Sequence, residues 1–223
     1  MATGKLITLE GIEGAGKTTI AGVLTERLNK AGIPAVVFRE PGSTPVGETL
    51  RTLLKDASIE LSPLTEAFLF EAARHELASQ EIIPALSTGR WVILDRYYDS
   101  TTAYQGYGRG LDLEMLKSMH RWACGWAVPD LTILLDVEPS TGLQRSQAVT
   151  AQSGVNAPDR FEEEGEDFLE RIRHGFLSLA RTEPERIVIV PVKTGPERMA
   201  DLCWEVVCRR FELISGGEHT NSS

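Results

Sequence analysis

The chain has 223 residues, 42% of them hydrophobic, and a formal net charge of −9, which suits one well-buried α/β domain and requires no second. The acidic balance argues against a nucleic-acid binder, because such proteins need a broad basic surface. No run of about 18 apolar residues occurs, so we expect neither a membrane span nor a membrane partner.

The N-terminus and the cysteines indicate where the protein works. The first predicted strand begins almost at residue 1, which leaves no room for a signal peptide. Cys124, Cys203 and Cys208 have neither zinc-ligand nor disulfide spacing and lie in apolar helical stretches. We therefore expect reduced core thiols and a cytoplasmic location.

The first structural unit is a strand, a glycine-rich loop and a helix. Residues 5–9 (Lys-Leu-Ile-Thr-Leu) predict a short buried strand, and Ile20, Val23, Leu24 and Leu28 form the apolar stripe of a helix. The intervening residues 11–18 match G-x-x-x-x-G-K-[ST] at every fixed position. This context favours a phosphate-binding P-loop over a glycine turn that binds nothing.

The loop predicts a nucleoside triphosphate site. Its candidate binding residues are Gly11, Ile12, Glu13, Gly14, Ala15, Gly16, Lys17, Thr18 and Thr19. The glycines let successive N–H groups point at phosphate oxygens, and the helix N-terminus adds partial positive charge. We expect Lys17 to reach the β- and γ-phosphates and the Thr18 hydroxyl to ligate Mg²⁺.

Beyond this unit, strands and helices alternate, which predicts a mostly parallel sheet with helices on both faces. Strands are predicted at residues 35–38, 91–94, 131–135 and 187–190, and helices at 46–55, 62–86, 100–105, 112–126, 139–146, 162–181 and 197–211, with a turn at 106–110. No repeat or domain boundary is visible. We predict a single-domain α/β P-loop fold over residues 1–214, with a five-stranded parallel sheet and a disordered tail at 215–223.

One stretch lacks the character of a helix or strand. Residues 147–158 are small, polar and uncharged, which is typical of a surface loop. They lie between two predicted helices and run into Asp159 and Arg160. That position favours a mobile active-site lid, at about residues 146–160, over a plain loop.

Four further motifs indicate which reaction the P-loop serves. They are Arg-Glu-Pro-Gly at 39–42, Phe-Leu-Phe-Glu-Ala-Ala-Arg at 68–74, Asp-Arg-Tyr at 95–97 and Ser-Thr-Thr-Ala-Tyr-Gln at 100–105. In order and spacing they resemble bacterial thymidylate kinases over residues 4–211. The resemblance implies a P-loop nucleoside monophosphate kinase that phosphorylates dTMP to dTDP with ATP and Mg²⁺, in dTTP biosynthesis, as a homodimer. Glu13 followed by Gly14 resembles the bacterial subclass whose lid supplies the catalytic arginine.

Two groups of side chains at helical spacing are candidates for binding the nucleotide. Phe70 and Arg74 share a helix face, where a ring can stack on a base and a guanidinium can donate to its carbonyl. A core Phe70 and a solvated Arg74 are the alternative. Thr101, Tyr104 and Gln105 also share a face, unless they form an exposed polar helix. The resemblance places Thr101 and Gln105 at the base edge and Tyr104 against the ribose 2′ position, which favours a deoxynucleotide.

The ends of two strands carry further candidates. Asp95 follows an apolar strand, where ligand sites of α/β sheets collect, and can orient Mg²⁺-bound water or hold the acceptor. Arg96 can grip the acceptor phosphate bidentately. The resemblance places Glu40 and Arg51 on the thymidylate side, although a surface ion pair between them is an alternative.

The lid departs from the pattern of the subclass, which usually carries several arginines there. Here only Arg145 and Arg160 flank it, and either is a candidate for contacting the transferring phosphoryl group. Glu162 begins an acidic run that suits a helix start, or it can touch a metal-bound water. Glu10 directly precedes the loop and can reach the metal shell, cap or pair.

Two other functions stay open at this stage. A kinase for another nucleoside monophosphate would share most of these features, because one methyl group changes binding by only about 1–3 kcal/mol. A nucleotide-dependent switch is the non-enzyme alternative, but the sequence has no Asn-Lys-x-Asp motif and no Asp-x-x-Gly after a strand. The apolar helix with Met115, Met119 and Trp122 can contribute to a dimer or to the core.

Overall fold

The computed structural model describes residues 4–152, 160–161 and 164–213. Within this part of the chain, five strands form one parallel sheet in the order β2-β3-β1-β4-β5. The strands are β1 (Leu6–Glu10), β2 (Ala35–Arg39), β3 (Trp91–Asp95), β4 (Leu131–Asp136) and β5 (Ile187–Pro191). The predicted α/β class and five-stranded parallel sheet are confirmed.

Helices connect the strands. They are α1 (Lys17–Lys30), α2 (Pro45–Lys55), α3 (Pro63–Leu77), α4 (Ile83–Ser87), α5 (Tyr98–Thr101), α6 (Leu113–Cys124), α7 (Pro139–Gln152), α8 (Glu166–Thr182) and α9 (Pro196–Arg210). In the described part of the chain, two π-helical segments lie at Ala78–Ile82 and Thr102–Gly108. Among the described residues, no helix combines the length and the apolar character that a bilayer crossing requires.

The core covers both faces of the sheet. On β1, Leu6 packs in a cluster with Leu77 and Leu86, whereas Ile7 and Leu9 pack in a second cluster that includes the apolar side of α1. Alternate residues of a strand point to opposite faces, so helices lie on both, as predicted. Cys124 and Cys203 are buried free thiols, and Cys208 is half-buried.

The sheet order locates the site. Strands β2 and β3 lie on one side of β1, and β4 and β5 lie on the other. In open α/β sheets, ligands bind outside the carboxyl ends of the strands where the order changes direction. The glycine-rich loop leaves β1 at that point, beside Asp95 at the end of β3.

The helix predicted over residues 62–86 forms but is not regular. Ser62 caps it, accepting from the Thr65 N–H, and Pro63 occupies its first position. Its hydrogen bonding changes to the π pattern at Ala78–Ile82, before Pro84. Proline has no N–H for the regular ladder, so a local change in pairing lets the helix continue.

The turn predicted at residues 106–110 is wrong for its first three residues, which belong to the π-helical segment Thr102–Gly108. The glycines there serve close packing. A Cβ on Gly106 would lie 2.5 Å from Leu113 Cδ2, and one on Gly108 would lie 2.8 Å from Phe168 Cε2. The segment therefore packs tightly against α6 and α8.

The predicted loop at 147–158 begins later than expected. Helix α7 runs to Gln152 rather than ending near residue 146, because its small residues permit a helix and no glycine or proline occurs at residues 143–153. Helix α8 begins at Glu166 rather than residue 162, directly after Gly165, whose φ is 84°. The remaining lid positions 153–159, Glu162 and the tail at 215–223 lie outside the described residues.

Candidate active site

The glycine-rich loop has a backbone that only glycine tolerates well. Gly11, Gly14 and Gly16 have φ of 138°, 70° and 93°. A Cβ on Gly14 would lie 2.1 Å from the carbonyl oxygen of Gly142, and one on Gly11 would lie 2.5 Å from that of Leu135. The loop is thus held close to the end of β4 and the start of α7.

Lys17 lies buried at the centre of the loop. Its Nζ donates to the carbonyl oxygens of Gly11 at 3.0 Å and Ile12 at 2.7 Å. Burial, with a smaller contribution from the neighbouring Arg96, lowers the pKa of Lys17 to about 8, against the opposing effect of Asp95. The negative charge of a phosphate ligand would stabilise this ammonium, which burial has removed from solvent.

Thr18 and Asp95 meet across the mouth of the sheet. The Thr18 hydroxyl donates to Asp95 Oδ2 at 2.5 Å, although the residues are 77 positions apart. A hydroxyl and a carboxylate are hard oxygen ligands of the kind that Mg²⁺ accepts, with phosphates and waters completing its shell. The pair therefore fits the metal predicted for this position.

Arg96 is held in a strained backbone conformation, with φ of 71°. Its Nη1 donates to Gly11 O and Ser100 Oγ, both at 3.0 Å. Its Nη2 donates to Glu13 Oε1 at 3.0 Å and to the Tyr104 hydroxyl at 3.1 Å. Tyr104 in turn donates to the Glu13 carboxylate. The guanidinium is fixed between the loop and the π-helical segment Thr102–Gly108, which follows α5.

The Glu10 side chain caps the backbone at Tyr97, at the start of α5, and does not face the loop. Its carboxylate accepts from the Tyr97 N–H at 2.8 Å and from the Ser100 hydroxyl at 2.6 Å. Burial, with a smaller contribution from Asp99, raises its pKa to about 8. Both carboxylate oxygens hold the segment that carries Arg96, so capping is the alternative that the structure favours.

Arg74 is fully buried, so the solvated alternative is wrong. Its Nε donates to Glu40 Oε2 at 3.1 Å, and Nη2 also contacts Glu40 Oε1. Nη1 donates to Glu71 Oε1 at 2.5 Å, and Nη2 donates to Thr101 Oγ1 at 2.7 Å. These bonds use four of the five N–H groups, which leaves one at Nη1.

The surface ion pair considered between Glu40 and Arg51 is not formed. Glu40 is buried and pairs with Arg74. Arg51 instead donates from Nη1 to the Pro41 carbonyl oxygen at 2.9 Å. The neighbouring Arg39–Glu48 pair lies exposed at the edge.

A cavity of about 370 Å³ opens beside these groups. It brings together the residues predicted for the acceptor and for catalysis: Glu40, Arg51, Phe70, Arg74, Asp95, Arg96, Thr101, Tyr104 and Gln105, with Lys17 and Thr18 at one end. Phe70 is half-buried and lines the cavity, so it is not simply a core residue. We call this space the acceptor cavity.

A second cavity, of about 570 Å³, lies on the other side of the loop, and we call it the donor cavity. It is lined by Gly14, Ala15, Gly16, Lys17, Thr18 and Thr19, by Arg145 of α7, and by Thr194, Gly195 and Pro196 after β5. Gly14, Lys17, Thr18, Ser146 and Val149 line both cavities. The two spaces therefore meet over the loop.

The two candidate lid arginines are in different places. Arg145 lines the donor cavity beside the loop. Arg160 lines neither cavity: its Nε donates to the Leu54 carbonyl oxygen at 3.2 Å, and its Nη2 lies 2.8 Å from Glu66 Oε2. The structure thus brings Arg145, but not Arg160, to the loop.

Sequence reasoning missed several lining residues. Thr194, Gly195 and Pro196 follow β5 at the same sheet edge, and the strand-end argument applied to Asp95 would have found them. Ser100 and Phe161 line the acceptor cavity too. Phe161 stands edge-on to Tyr104, with ring centroids 5.8 Å apart, and no local pattern indicates that contact.

Comparison with known proteins decides the family. A sequence profile described as thymidylate kinase matches residues 9–202. The chain belongs to the thymidylate kinase family. The resemblance drawn from its motifs is therefore confirmed.

Similar proteins in this family cover nearly the whole chain. A thymidylate kinase of Synechococcus sp. (strain JA-2-3B'a(2-13)) is 44% identical over 211 residues, 95% of this chain and 98% of the relative. One of Desulfosudis oleivorans is 48% identical over 186 residues, 82% and 87% of the two chains. The crystal structure of a thymidylate kinase from Ehrlichia chaffeensis superposes with a TM-score of 0.73 at 30% identity, covering 92% of this chain and 98% of that one.

Proposed function

We propose that this chain transfers the γ-phosphoryl group of ATP to the 5′-phosphate of dTMP, giving ADP and dTDP. The observation that carries the proposal is the meeting of two cavities over one phosphate-binding loop, at Gly14, Lys17 and Thr18. Two nucleotides bound from opposite sides would have their phosphates end to end there. The family of the chain agrees with this arrangement.

The donor side supports a triphosphate. The loop amides and Lys17 suit the β- and γ-phosphates, and the remainder of the cavity extends to Thr194, Gly195 and Pro196, where a sugar and base would fit. Thr18 and Asp95 would hold Mg²⁺ between loop and strand. When bound, this ion supplies positive charge to the phosphate oxygens and orients them.

The acceptor side supports a pyrimidine deoxynucleotide. Phe70 offers a ring face to a base, and the remaining Nη1 hydrogen of Arg74 suits a base carbonyl. Tyr104, fixed by Glu13 and Arg96, would crowd a ribose 2′-hydroxyl. Glu40 contributes by holding Arg74, and Arg51 would face the acceptor near its phosphate.

Catalysis would rest on alignment and charge neutralisation. The acceptor phosphate is already an anion, so the reaction requires no strong base. Lys17 and Arg96 would share the negative charge of the moving group, and Arg145 would approach it from the donor side. Asp95 would keep Thr18 and the acceptor in place.

We also propose that residues 146–160 act as a lid within one kinase domain over residues 1–214. Ser146 and Val149 line both cavities, so this segment begins above their junction. Its closure would exclude water and suppress ATP hydrolysis. A cytoplasmic location and a homodimer are part of the same proposal, and the exposed Phe68 and Trp122 suit a contact with a second copy.

The test is a coupled ADP-release assay with Mg²⁺ and ATP across dTMP, dUMP, UMP and dCMP. We expect dTMP to give the highest kcat/KM and UMP, with its 2′-hydroxyl, a low one. Preference for another monophosphate would assign the chain to a different acceptor. Nucleotide binding without any ADP release would contradict the proposal.

A further inference from the structure

Glu66 is a buried carboxylate beside the acceptor cavity that the mechanism above does not use. It lies on α3, four residues before Phe70, and is 1% exposed. Its Oε1 accepts a hydrogen bond of 2.7 Å from Nε2 of Gln105, which is equally buried. Gln105 lines the acceptor cavity, whereas Glu66 lies behind it.

Two arginine side chains contact the Glu66 carboxylate. Oε2 lies 2.8 Å from Nη2 of Arg160, and Oε1 accepts from Nε of Arg109 at 3.3 Å. Arg109 donates to both carboxylate oxygens, so each oxygen of Glu66 acts as an acceptor. Gln105 must therefore turn its NH₂ group toward Glu66, since the opposite rotamer would place the amide oxygen against a carboxylate oxygen.

This orientation leaves the amide oxygen of Gln105 for a ligand. Among the described residues, no donor contacts that oxygen. One helical turn earlier, Thr101 accepts a hydrogen bond from Arg74 at 2.7 Å, which leaves its hydroxyl hydrogen free to donate. The edge of the cavity thus presents an acceptor at Gln105 and a donor at Thr101.

That pattern is complementary to one class of pyrimidine. Thymine and uracil carry an N3–H donor next to carbonyl acceptors, whereas cytosine has an N3 acceptor next to an amino donor. A site built to bond one pattern rejects the other strongly, because mismatched buried groups are left unpaired.

We propose that Glu66 is a positioning residue that sets the base specificity of the acceptor site, by holding Gln105 so that its oxygen accepts from N3–H. This inference rests on the proposed transfer to a nucleoside monophosphate. Glu66 itself touches no ligand and acts through Gln105. Arg160 contributes by binding the carboxylate oxygen that Gln105 does not use.

The substitution Glu66→Gln should reverse the orientation of the Gln105 side-chain amide. Its amide oxygen would face Arg160, so its NH₂ group would face Gln105 and turn the Gln105 oxygen toward it. Gln105 would then present NH₂ to the cavity. Arg109 donates to both Glu66 oxygens and would oppose an NH₂ group there, so the comparison is made between Arg109→Met and the double variant Glu66→Gln/Arg109→Met.

The measurement is kcat/KM for dTMP, dUMP and dCMP in the two variants and the unsubstituted chain, with thermal melting to verify folding. We expect the double variant to lower the dTMP:dCMP ratio about tenfold or more, through a higher KM for dTMP and a lower KM for dCMP. The dTMP:dUMP ratio should stay within about twofold, because both bases carry N3–H. Arg109→Met alone should keep both ratios.

A purely structural role for Glu66 would lower all rates together and keep the dTMP:dCMP ratio, which would overturn the inference. Should the double variant fail to fold, Glu66→Met alone, in which Arg109 still pairs with Glu164, must lower the dTMP:dCMP ratio, because nothing then holds Gln105 in one orientation. Failure of the proposed function looks different: the unsubstituted chain would then turn over none of the three monophosphates, which overturns both proposals.

Discussion

The hydroxyl of Thr18 donates a 2.5 Å hydrogen bond to the carboxylate of Asp95, which joins the start of α1 to the end of β3. Strand β1, which precedes the loop, pairs in parallel with β3, which ends at Asp95, and Leu9 lies opposite Asp95. The pairing of β1 with β3 therefore brings two oxygen ligands to one point above the loop. A cation between them would lie where the two cavities meet.

Replacing Thr18 with valine, which keeps the shape but removes the oxygen, should lower kcat about 10- to 100-fold and raise the Mg²⁺ concentration required for half-maximal rate. Thr18→Ser keeps the hydroxyl and is the matched control, with near-normal Mg²⁺ dependence. The measurement is ADP release over a Mg²⁺ titration, including chelation by EDTA. An unchanged titration for the valine variant would remove Thr18 from the metal site.

Lys17→Ala should lower turnover by about 10² to 10³, the usual loss for one electrostatic contact to a transition state. The side chain bonds only to loop carbonyls at Gly11 and Ile12 among the described residues, so the loss should fall mainly on catalysis rather than on folding. Steady-state kinetics and thermal melting of the variant measure the two effects. A near-normal rate would contradict the role given to the loop.

The buried Lys17 also predicts a pH dependence. Its ammonium form binds phosphate, and burial lowers its pKa to about 8, so the charge is lost as pH rises through that value. We expect kcat/KM for ATP to be flat below about pH 8 and to fall up to about tenfold per pH unit above it, since this parameter reports the free enzyme.

The control for this profile is Lys17→Arg, because a guanidinium stays charged throughout the range. Its absolute rate should be lower, but its alkaline decline should disappear. The same decline in both enzymes would place the titration on another group.

Arg145→Ala and Arg160→Ala separate the two candidate arginines. Arg145 lines the donor cavity, so its loss should lower kcat/KM for ATP about 10- to 100-fold. Arg160 pairs with Glu66 outside both cavities, so its loss should affect thermal stability and base selectivity more than the chemical step. Single-turnover kinetics compare the two chemical steps. A larger chemical defect in Arg160→Ala would mean that lid closure carries Arg160 to the phosphates.

Trp122→Glu tests the proposed homodimer. The side chain is 87% exposed on the outer side of α6, whereas Leu116 and His120 face inward. Its replacement should change the stability of the isolated fold by only about 0.5 kcal/mol or less, yet a charge in an apolar contact should dissociate the dimer. Sedimentation velocity of the unsubstituted chain and of Trp122→Glu measures the oligomeric state. Arg121→Glu, on the same helix, is the control. A monomeric unsubstituted chain would contradict the dimer.

The loop, the strands and most helix ends could be predicted because their signals are local. Gly11, Gly14 and Gly16 satisfy backbone requirements within a few residues, and Ser62 with Pro63 starts α3 in the manner that cap chemistry demands. Predictions based on composition alone were less accurate. Residues 147–152 are small and polar, yet they continue α7, because composition weakens a helix without forbidding it.

The residues of the acceptor cavity could be predicted only in part from the sequence. Helical spacing put Thr101, Tyr104 and Gln105 on one face, and the structure places all three on the acceptor cavity. Spacing could not say that Glu40 would pair with Arg74, 34 positions away, rather than with Arg51. Which carboxylate pairs with which guanidinium depends on how the strands and helices pack. A charged side chain can pair with any opposite charge that packing brings near it, whatever their separation in the sequence.

The sequence by itself determined the chemistry available to this protein: a loop that can bind phosphates, oxygen ligands at strand ends and an aromatic beside a cation. The tertiary structure decided which of these groups share a space, that Arg145 rather than Arg160 lies by the loop, and that Glu66 stands behind Gln105. The reason is physical: backbone conformation follows from neighbouring residues, whereas burial and side-chain partners exist only once distant segments have packed.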